Sequence, residues 1–271
     1  MRVQLSPHVN ARPGARALEA AMLDGAREAG LTVQPGRIDH RPDVVLVLYG
    51  AGSLERTAIM REHRRAGGRV VCLDGGYFGR RLPANGDYFR VAIDELHARP
   101  EHVEATPDDD SRFARFGINL RDDYNPAGPV IVVGMGPKSR VGLGLMDWEQ
   151  RTLARAAARF PKHRVIYRRK DGRRLAKPDG VMWPHIDGAT PIHELLRGAS
   201  LVIARHSNVS VDACIAGVPV ECEDGAARWL YRDGPIQNAE RRLSFLRRLA
   251  WWNWQPREMG EAGKFLTRMM E

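Results

Sequence analysis

The stretch PIHELLRGASLVIARHSNVSVDACIAGVPVEC, residues 191–222, decides the fold. It divides into a helix from Ile192 to Gly198, a buried strand from Leu201 to Ala204, and the polar turn Arg205-His206-Ser207-Asn208. A second helix from Val209 to Ala216 and a strand from Val218 to Cys222 complete it. Where such a strand runs into a helix, the unpaired first N–H groups and the positive end of the helix dipole favour an anion. Asp212 lies about one turn further along, near the same mouth. A carboxylate there can accept hydrogen bonds from ribose hydroxyls while the turn holds phosphate, which suits a sugar nucleotide. The plainer reading of the same residues is an ordinary turn in which Ser207 or Asn208 caps the helix.

Upstream, strands and helices alternate. Met1–Leu5 reads as a short strand, and Ala15–Ala29 as an amphipathic helix closed by Gly30. Val44–Tyr49 (VVLVLY) is a continuous apolar run of the kind a parallel sheet buries on both faces. A helix through Arg65 and a strand over Arg69–Leu73 follow. Asp74-Gly75-Gly76-Tyr77 ends that strand, and Tyr88–Ile93 reads as another. Residues 100–123 are polar and broken by Pro107 and Asp108–Asp110, as a linker or an interdomain excursion would be.

A second alternation begins at Pro129–Val133, continues through Gly134-Met135-Gly136-Pro137-Lys138-Ser139-Arg140 and a helix over Asp147–Arg159, and reaches a strand at Arg164–Tyr167. After Glu240–Arg248 come Trp251-Trp252-Asn253-Trp254 and a final helix, Pro256–Met270. The expected fold is α/β: two Rossmann-like domains, 1–125 and 126–250, facing across a cleft, followed by an aromatic segment and helix at 251–271. Ligands of such sheets bind at the carboxyl ends of strands. In the loop after Val133, Gly134 and Gly136 permit close approach to phosphate, which Lys138 and Arg140 would neutralise. The loop has neither the Walker spacing nor the third glycine of the dinucleotide fingerprint, and a plain solvated loop is the alternative.

The residues His206, Ser207, Asn208, Asp212 and Gly217-Val218-Pro219 resemble the donor half of GT-B glycosyltransferases, the capsule-polysaccharide and Kdo-transferase-like branch and its small phage-encoded relatives in particular. Asp212 stands where many members have Glu, which shortens its reach. The resemblance implies a glycosyltransferase that moves a sugar from a nucleotide-sugar donor, a UDP-sugar or similar, to a hydroxyl acceptor, with no cofactor required, and a C-terminal helix within 251–271 that returns to the first domain. Donor contacts are then expected from Gly134, Gly136, Lys138, Arg168, Lys170, Ile186, His206, Ser207, Asn208 and Asp212. The loop Met182-Trp183-Pro184-His185-Ile186 would hold the base, with Trp183 stacking on it or lying in the core. An inverting transferase needs a general base in the first domain. Asp74 is the first candidate and Asp94 and His97 the next; His8, Asn10, Arg12 and Tyr77 would line the acceptor side. No metal is expected, because helix N–H groups and basic side chains can hold a diphosphate. The Asp-x-Asp spacing at Asp108–Asp110 lies in the polar stretch rather than after an apolar strand.

Composition bounds the remainder. A chain of 271 residues, 28% charged and 43% hydrophobic, suits two soluble domains. No apolar run is long enough to span a membrane, and MRVQLSPHVNARPG lacks a secretory signal's apolar core, so a cytoplasmic protein is expected, in the host if phage-encoded. Cys72, Cys214 and Cys222 sit in apolar segments as buried thiols do. A net charge of +9 with basic clusters at Arg61–Arg65, Arg164–Arg174 and Arg241–Arg248 favours an acidic partner. Double-stranded DNA carrying hydroxymethylated bases is the favoured acceptor, with Trp251, Trp252 and Trp254 either contacting it or packing the last helix. A cell-surface or capsular saccharide is the other acceptor, with Arg241–Trp254 as a membrane-facing patch. A nucleotide-sugar epimerase and a non-catalytic nucleic-acid-binding protein on a transferase scaffold remain open. Donor identity, stereochemical outcome and oligomeric state are not encoded in any of these patterns.

Overall fold

The apolar runs Val44–Tyr49 and Val130–Val133 form strands inside two separate sheets in the computed structural model, which describes residues 2–5, 13–34, 38–50, 54–79, 88–170, 186–188, 190–231 and 238–270. The chain divides into two compact units, one of Met1–Phe116 with Arg247–Glu271 and one of Gly117–Leu246.

The first unit begins β1 (Arg2–Leu5), α1 (Pro13–Glu28), β2 (Thr32–Gln34), β3 (Val44–Tyr49), α2 (Leu54–Arg65), β4 (Arg69–Gly75) and β5 (Phe89–Ile93), then α3 (Pro100–Glu104) and α4 (Asp110–Phe113). The second contains β6 (Val130–Val133), α5 (Pro137–Leu143), α6 (Trp148–Arg159), β7 (Val165–Arg168) and β8 (Ile186–Asp187). It continues with α7 (Ile192–Leu196), β9 (Leu201–Ala204), α8 (Val209–Ala216), β10 (Val220–Cys222) and α9 (Arg228–Tyr231). Helix α10 (Ala239–Ala250) leads back to the first unit, which ends with β11 (Asn253–Trp254) and α11 (Met259–Met270).

In the first unit the strand order is β11-β5-β4-β3-β1-β2. β1 to β4 run parallel; at one edge β5 is antiparallel to β4, and β11 is antiparallel to β5 and so runs in the direction of β1 to β4. Nearly every side chain of β3 is buried, as a parallel sheet covered on both faces requires. Helix α11 packs on α1 through glycines: a Cβ on Gly25 would meet the Met259 carbonyl oxygen at 2.7 Å, so the two backbones cross in direct contact.

Two expectations, the linker and the free basic cluster, are corrected here, and of the two alternatives for the tryptophans packing is the one found. Residues 100–116 are not a linker. Asp109 caps α4 by accepting from the Ser111 N–H at 2.9 Å, and Val103 and Phe113 are buried anchors. The two units meet in the chain between Phe116 and Gly117. The tryptophans form no exposed patch: Trp252 and Trp254 are buried around Phe265 of α11, Trp251 is half-buried, and the Arg112 guanidinium lies 3.7 Å from the Trp254 ring centroid. Nor is Arg241–Arg248 a free basic cluster, since Arg242 is buried and Arg247 makes a bidentate pair with Asp110 at 2.8 and 2.6 Å. Arg248 donates to the carbonyls of Glu104 and Thr106.

The second unit's sheet is wholly parallel, in the order β10-β9-β6-β7-β8. From β6 the chain winds outward through β7 and β8, then returns to the other side of β6 for β9 and β10. This is the doubly wound arrangement, whose switch point lies between β6 and β9. The carboxyl end of α8 is closed by Gly217, in the left-handed conformation (φ 80°), and by Arg242, which donates to the carbonyls of Cys214 and Arg121 at 3.1 and 3.0 Å. Burial raises the thiol pKa of Cys72 and of Cys214 to about 12 and that of Cys222 to about 11, so all three stay protonated at neutral pH. Among the described residues no helix is long and apolar enough to cross a membrane.

Candidate functional site at the switch point of the second sheet

Parallel pairing sets Val133 of β6 opposite Ala204 of β9 and Arg168 of β7, so the three strands end in one row. The segments beyond that row are the Gly134–Gly136 loop, Arg168–Lys170 and Arg205–Asn208. The topology thus gathers the sequence-predicted donor residues along one sheet edge, at the place where doubly wound sheets bind ligands.

Each glycine of the β6 loop has its own reason. Gly134 is buried, and a Cβ there would stand 2.7 Å from the Tyr167 hydroxyl, so only glycine fits. At Gly136 an added Cβ would meet nothing within 4 Å; packing does not demand glycine, and open space adjoins the backbone. The next residues were expected to continue the loop, yet they form α5, with Gly136 as its extended N-cap and Pro137 fixing the first helical φ. Lys138 is exposed on the first turn of α5. Arg140 is not free to meet phosphate: its Nε lies 3.0 Å from Glu149 Oε1, and its Nη2 donates to the Met135 carbonyl at 3.0 Å. Glu149 is 1% exposed and also accepts from the Met135 N–H at 3.0 Å. This buried carboxylate on α6 therefore fixes both the loop and the arginine behind it.

The β9 turn is more closed than its sequence implies. The N–H groups of Ser210, Val211 and Asp212 already bond the carbonyls of Ser207 and Asn208, at 3.0, 2.9 and 3.2 Å. The Val209 N–H is held only at 3.3 Å, by Ser207 Oγ. Asn208 stands at the N-cap in helical conformation without a side-chain cap bond, so the plain capping role does not describe it. His206 and Ser207 are 7% and 8% exposed, whereas Asn208 and Asp212 are half-buried. Arg205 is drawn to the segment after β10: it pairs with Glu223, and its Nε lies 2.7 Å from Asp224 Oδ2. Glu223 also accepts from the Trp148 indole N–H at 2.8 Å. Arg168 is half-buried and Lys170 exposed, while of Ile186 only the β8 backbone is described. Trp183 and His185 lie outside the described residues, as do His8, Asn10 and Arg12 of the first unit.

The candidates for general base differ sharply in the first unit. Asp74 is 44% exposed at the end of β4; its Oδ2 accepts from Arg90 at 2.8 Å and its Oδ1 from the Gly75 N–H at 2.7 Å. Asp94 is instead a turn lock. At φ 62° and 5% exposed, it accepts from the Val70 N–H at 2.8 Å and from Arg69 at 2.7 Å. His97 is buried against the Tyr77 ring, and the Tyr77 hydroxyl, itself buried, accepts from the Ala98 N–H at 3.0 Å. Burial removes Asp94, His97 and Tyr77 from direct contact with a soluble acceptor. Sequence reading missed Glu149, the Arg205–Glu223–Asp224 cluster and Asn253, which holds the Gly76–Phe78 turn by accepting from the Tyr77 N–H at 2.7 Å. These partners are far apart in the chain, and no local pattern marks them.

No protein-family model matches the chain, and no curated protein is similar to it. Among solved structures it is similar to the KpsC beta Kdo 2,7 transferase of Thermosulfurimonas dismutans, with a TM-score of 0.53 at 13% identity over 98% of this chain and 100% of that one. The beta Kdo 2,4 transferase of the same organism's KpsC aligns with a TM-score of 0.49 at 13% identity, over 90% of this chain and 89% of that one. The spinosyn forosaminyltransferase SpnP aligns at 0.28 and 15% identity, over the whole of both. At 13% identity the first likeness is one of fold alone: a mixed α/β chain with parallel sheets.

Proposed function

We propose that the chain is a GT-B-type glycosyltransferase whose second unit binds a nucleotide-sugar at the β6/β9 switch point and whose first unit takes a hydroxyl acceptor. The observation that carries this reading is the in-register end of β6, β7 and β9, which gathers Gly136, Lys138, Arg168, Lys170 and Asp212 on one sheet edge. In this reading the Gly136 backbone and the exposed Lys138 and Lys170, with Arg168, stabilise the donor diphosphate as it becomes the leaving group. Asp212 receives the ribose hydroxyls. Positive charge at the leaving group is what lets the reaction run without a metal. Asp74 takes the proton of the acceptor hydroxyl, and Arg90 holds its carboxylate in place.

For the acceptor, burial of Trp252, Trp254 and Arg242 and the pairing of Arg247 favour a saccharide over DNA, because those residues supplied much of the case for a polyanion surface. The fold likeness to a Kdo transferase points the same way. The exposed Arg61 and Arg65 leave modified duplex DNA as the second reading.

A thermal-shift panel of nucleoside diphosphate sugars tests the donor half. A true donor at about a hundred times its Kd adds about 2.7 kcal/mol of stability, and Asp212→Asn reduces that gain. If no member shifts the transition, the reading fails. With a donor in hand, transfer to oligosaccharide or to hydroxymethylated DNA decides the acceptor, and Asp74→Asn abolishes transfer while leaving donor binding intact.

A further inference from the structure

The second unit also contains a pocket of about 350 Å³ at the amino ends of β9 and β10, where Leu201 and Val220 begin their strands. This is the sheet edge opposite the switch-point loops, so its chemistry is separate from donor binding. Its size falls within the range of small-molecule sites, which combine apolar walls with a few convergent polar groups.

The polar groups decide the ligand class. His163 Nδ1 lies 2.8 Å from the Gly128 carbonyl oxygen, which can only accept, so a proton sits on Nδ1, and in the neutral form of the ring Nε2 then carries the lone pair. Ser200 Oγ gives its one proton to the Pro129 carbonyl at 3.1 Å and keeps lone pairs only. Glu221 pairs with Arg159 through Oε1, which cancels the one cation and leaves Oε2 as an acceptor. The pocket is therefore rich in acceptors and carries no surplus positive charge, a poor match for phosphate and a good one for hydroxyl donors. Its aromatic walls supply the other half. Tyr124 is 38% exposed beside the half-buried Phe160, whose ring bears the Arg159 guanidinium at 4.8 Å. An aromatic face next to hydroxyl acceptors matches a pyranose, which has an apolar C–H face and a polar rim.

We propose that this pocket is a second binding site, one that takes a neutral sugar ring, stacked on Tyr124 or Phe160 with its hydroxyls donating to His163 and Glu221. The test is saturation-transfer NMR on the full chain with the methyl glycosides of glucose, galactose and mannose, with p-cresol and inorganic phosphate as contrasting probes. At least one glycoside is expected to receive saturation. Tyr124→Ala, a surface change, and His163→Phe, which keeps a ring but removes the acceptor, should each weaken it about tenfold. Three results overturn the proposal: no glycoside binds, only p-cresol or phosphate binds, or glycoside binding survives both substitutions. Nucleotide-sugar stabilisation, followed in parallel, is expected to be unchanged in both variants. Its absence from the parent chain would sink the donor reading and leave this site standing.

Discussion

Glu149 shows how one residue can set the shape of a ligand loop from beneath. It is buried, ion-paired to Arg140 and hydrogen-bonded to the Met135 N–H. Removing one member of a buried pair strands the other, so Glu149→Ala is expected to lower unfolding free energy by about 3 kcal/mol. Glu149→Gln, whose amide oxygen still accepts from Met135, should lose less. Urea midpoints compare the two, and both should weaken the nucleotide-sugar response because the loop is no longer fixed. Nothing near Glu149 in the sequence marks this role: its partners become neighbours only when α6 packs under β6. The place of Asp212 in the first turn of α8 was legible because helix spacing is local. The burial of His206 and Ser207 was not, since it depends on the segment after β10 folding back to pair with Arg205. Nor was the turn at Asp94, whose left-handed φ goes with bonds to Arg69 and Val70 on a neighbouring strand.

At the scale of elements, continuous apolar runs such as VVLVLY and VIVV were read as parallel strands, and both are. Short polar helices were not. The acids of Asp108–Asp110 resemble linker composition, yet Asp109 is a cap, and Gly136-Pro137 resembles a turn, yet it begins α5. Two glycines give opposite predictions. Gly25→Ala gains helix propensity of about 1 kcal/mol, but its methyl group collides with the α11 backbone, and overpacking of that kind costs about 1–3 kcal/mol. Net destabilisation is expected in urea melts, with a further loss for Gly25→Val. Gly136→Ala has open space and an ordinary φ of −72°. Its stability should stay within about 0.5 kcal/mol of the parent, while nucleotide-sugar affinity falls if phosphate approaches the backbone there. A variant that binds as before would place the phosphate elsewhere.

For the whole molecule, the net charge of +9 does not tell how many guanidinium groups can meet a partner, because several arginines hold the chain's own carbonyls and carboxylates. The same interior sets the response to acid. Burial lowers the pKa of His63 and of His102 below 6.5, so both take up a proton less readily in the folded chain than in the unfolded one. The unfolded chain takes up protons near pH 6.5 that the folded one refuses, and stability must fall as pH drops through that region. Glu258 acts lower down: desolvation raises its pKa, but the Gln255 N–H and the charges of Arg112 and Arg115 outweigh it and hold the pKa below 4.5. Its contribution is present above about pH 4.5 and is lost as pH falls through its depressed folded value. Urea unfolding from pH 8 to pH 4 should therefore show a decline beginning near pH 6.5, and His63→Gln should flatten it. A profile level down to pH 5 would contradict the lowered pKa of these histidines.

The discontinuous first unit has a consequence for biosynthesis. Strand β11 and helix α11 emerge after every strand of the second unit, and ribosomes add residues at roughly 5–20 per second. On a translating ribosome the second sheet can close while the first still waits for its last edge strand and for the helix that seats on Gly25. During that interval β5 presents an open border to the crowded surroundings of the nascent chain, and a chaperone that shields strand edges would find its substrate there.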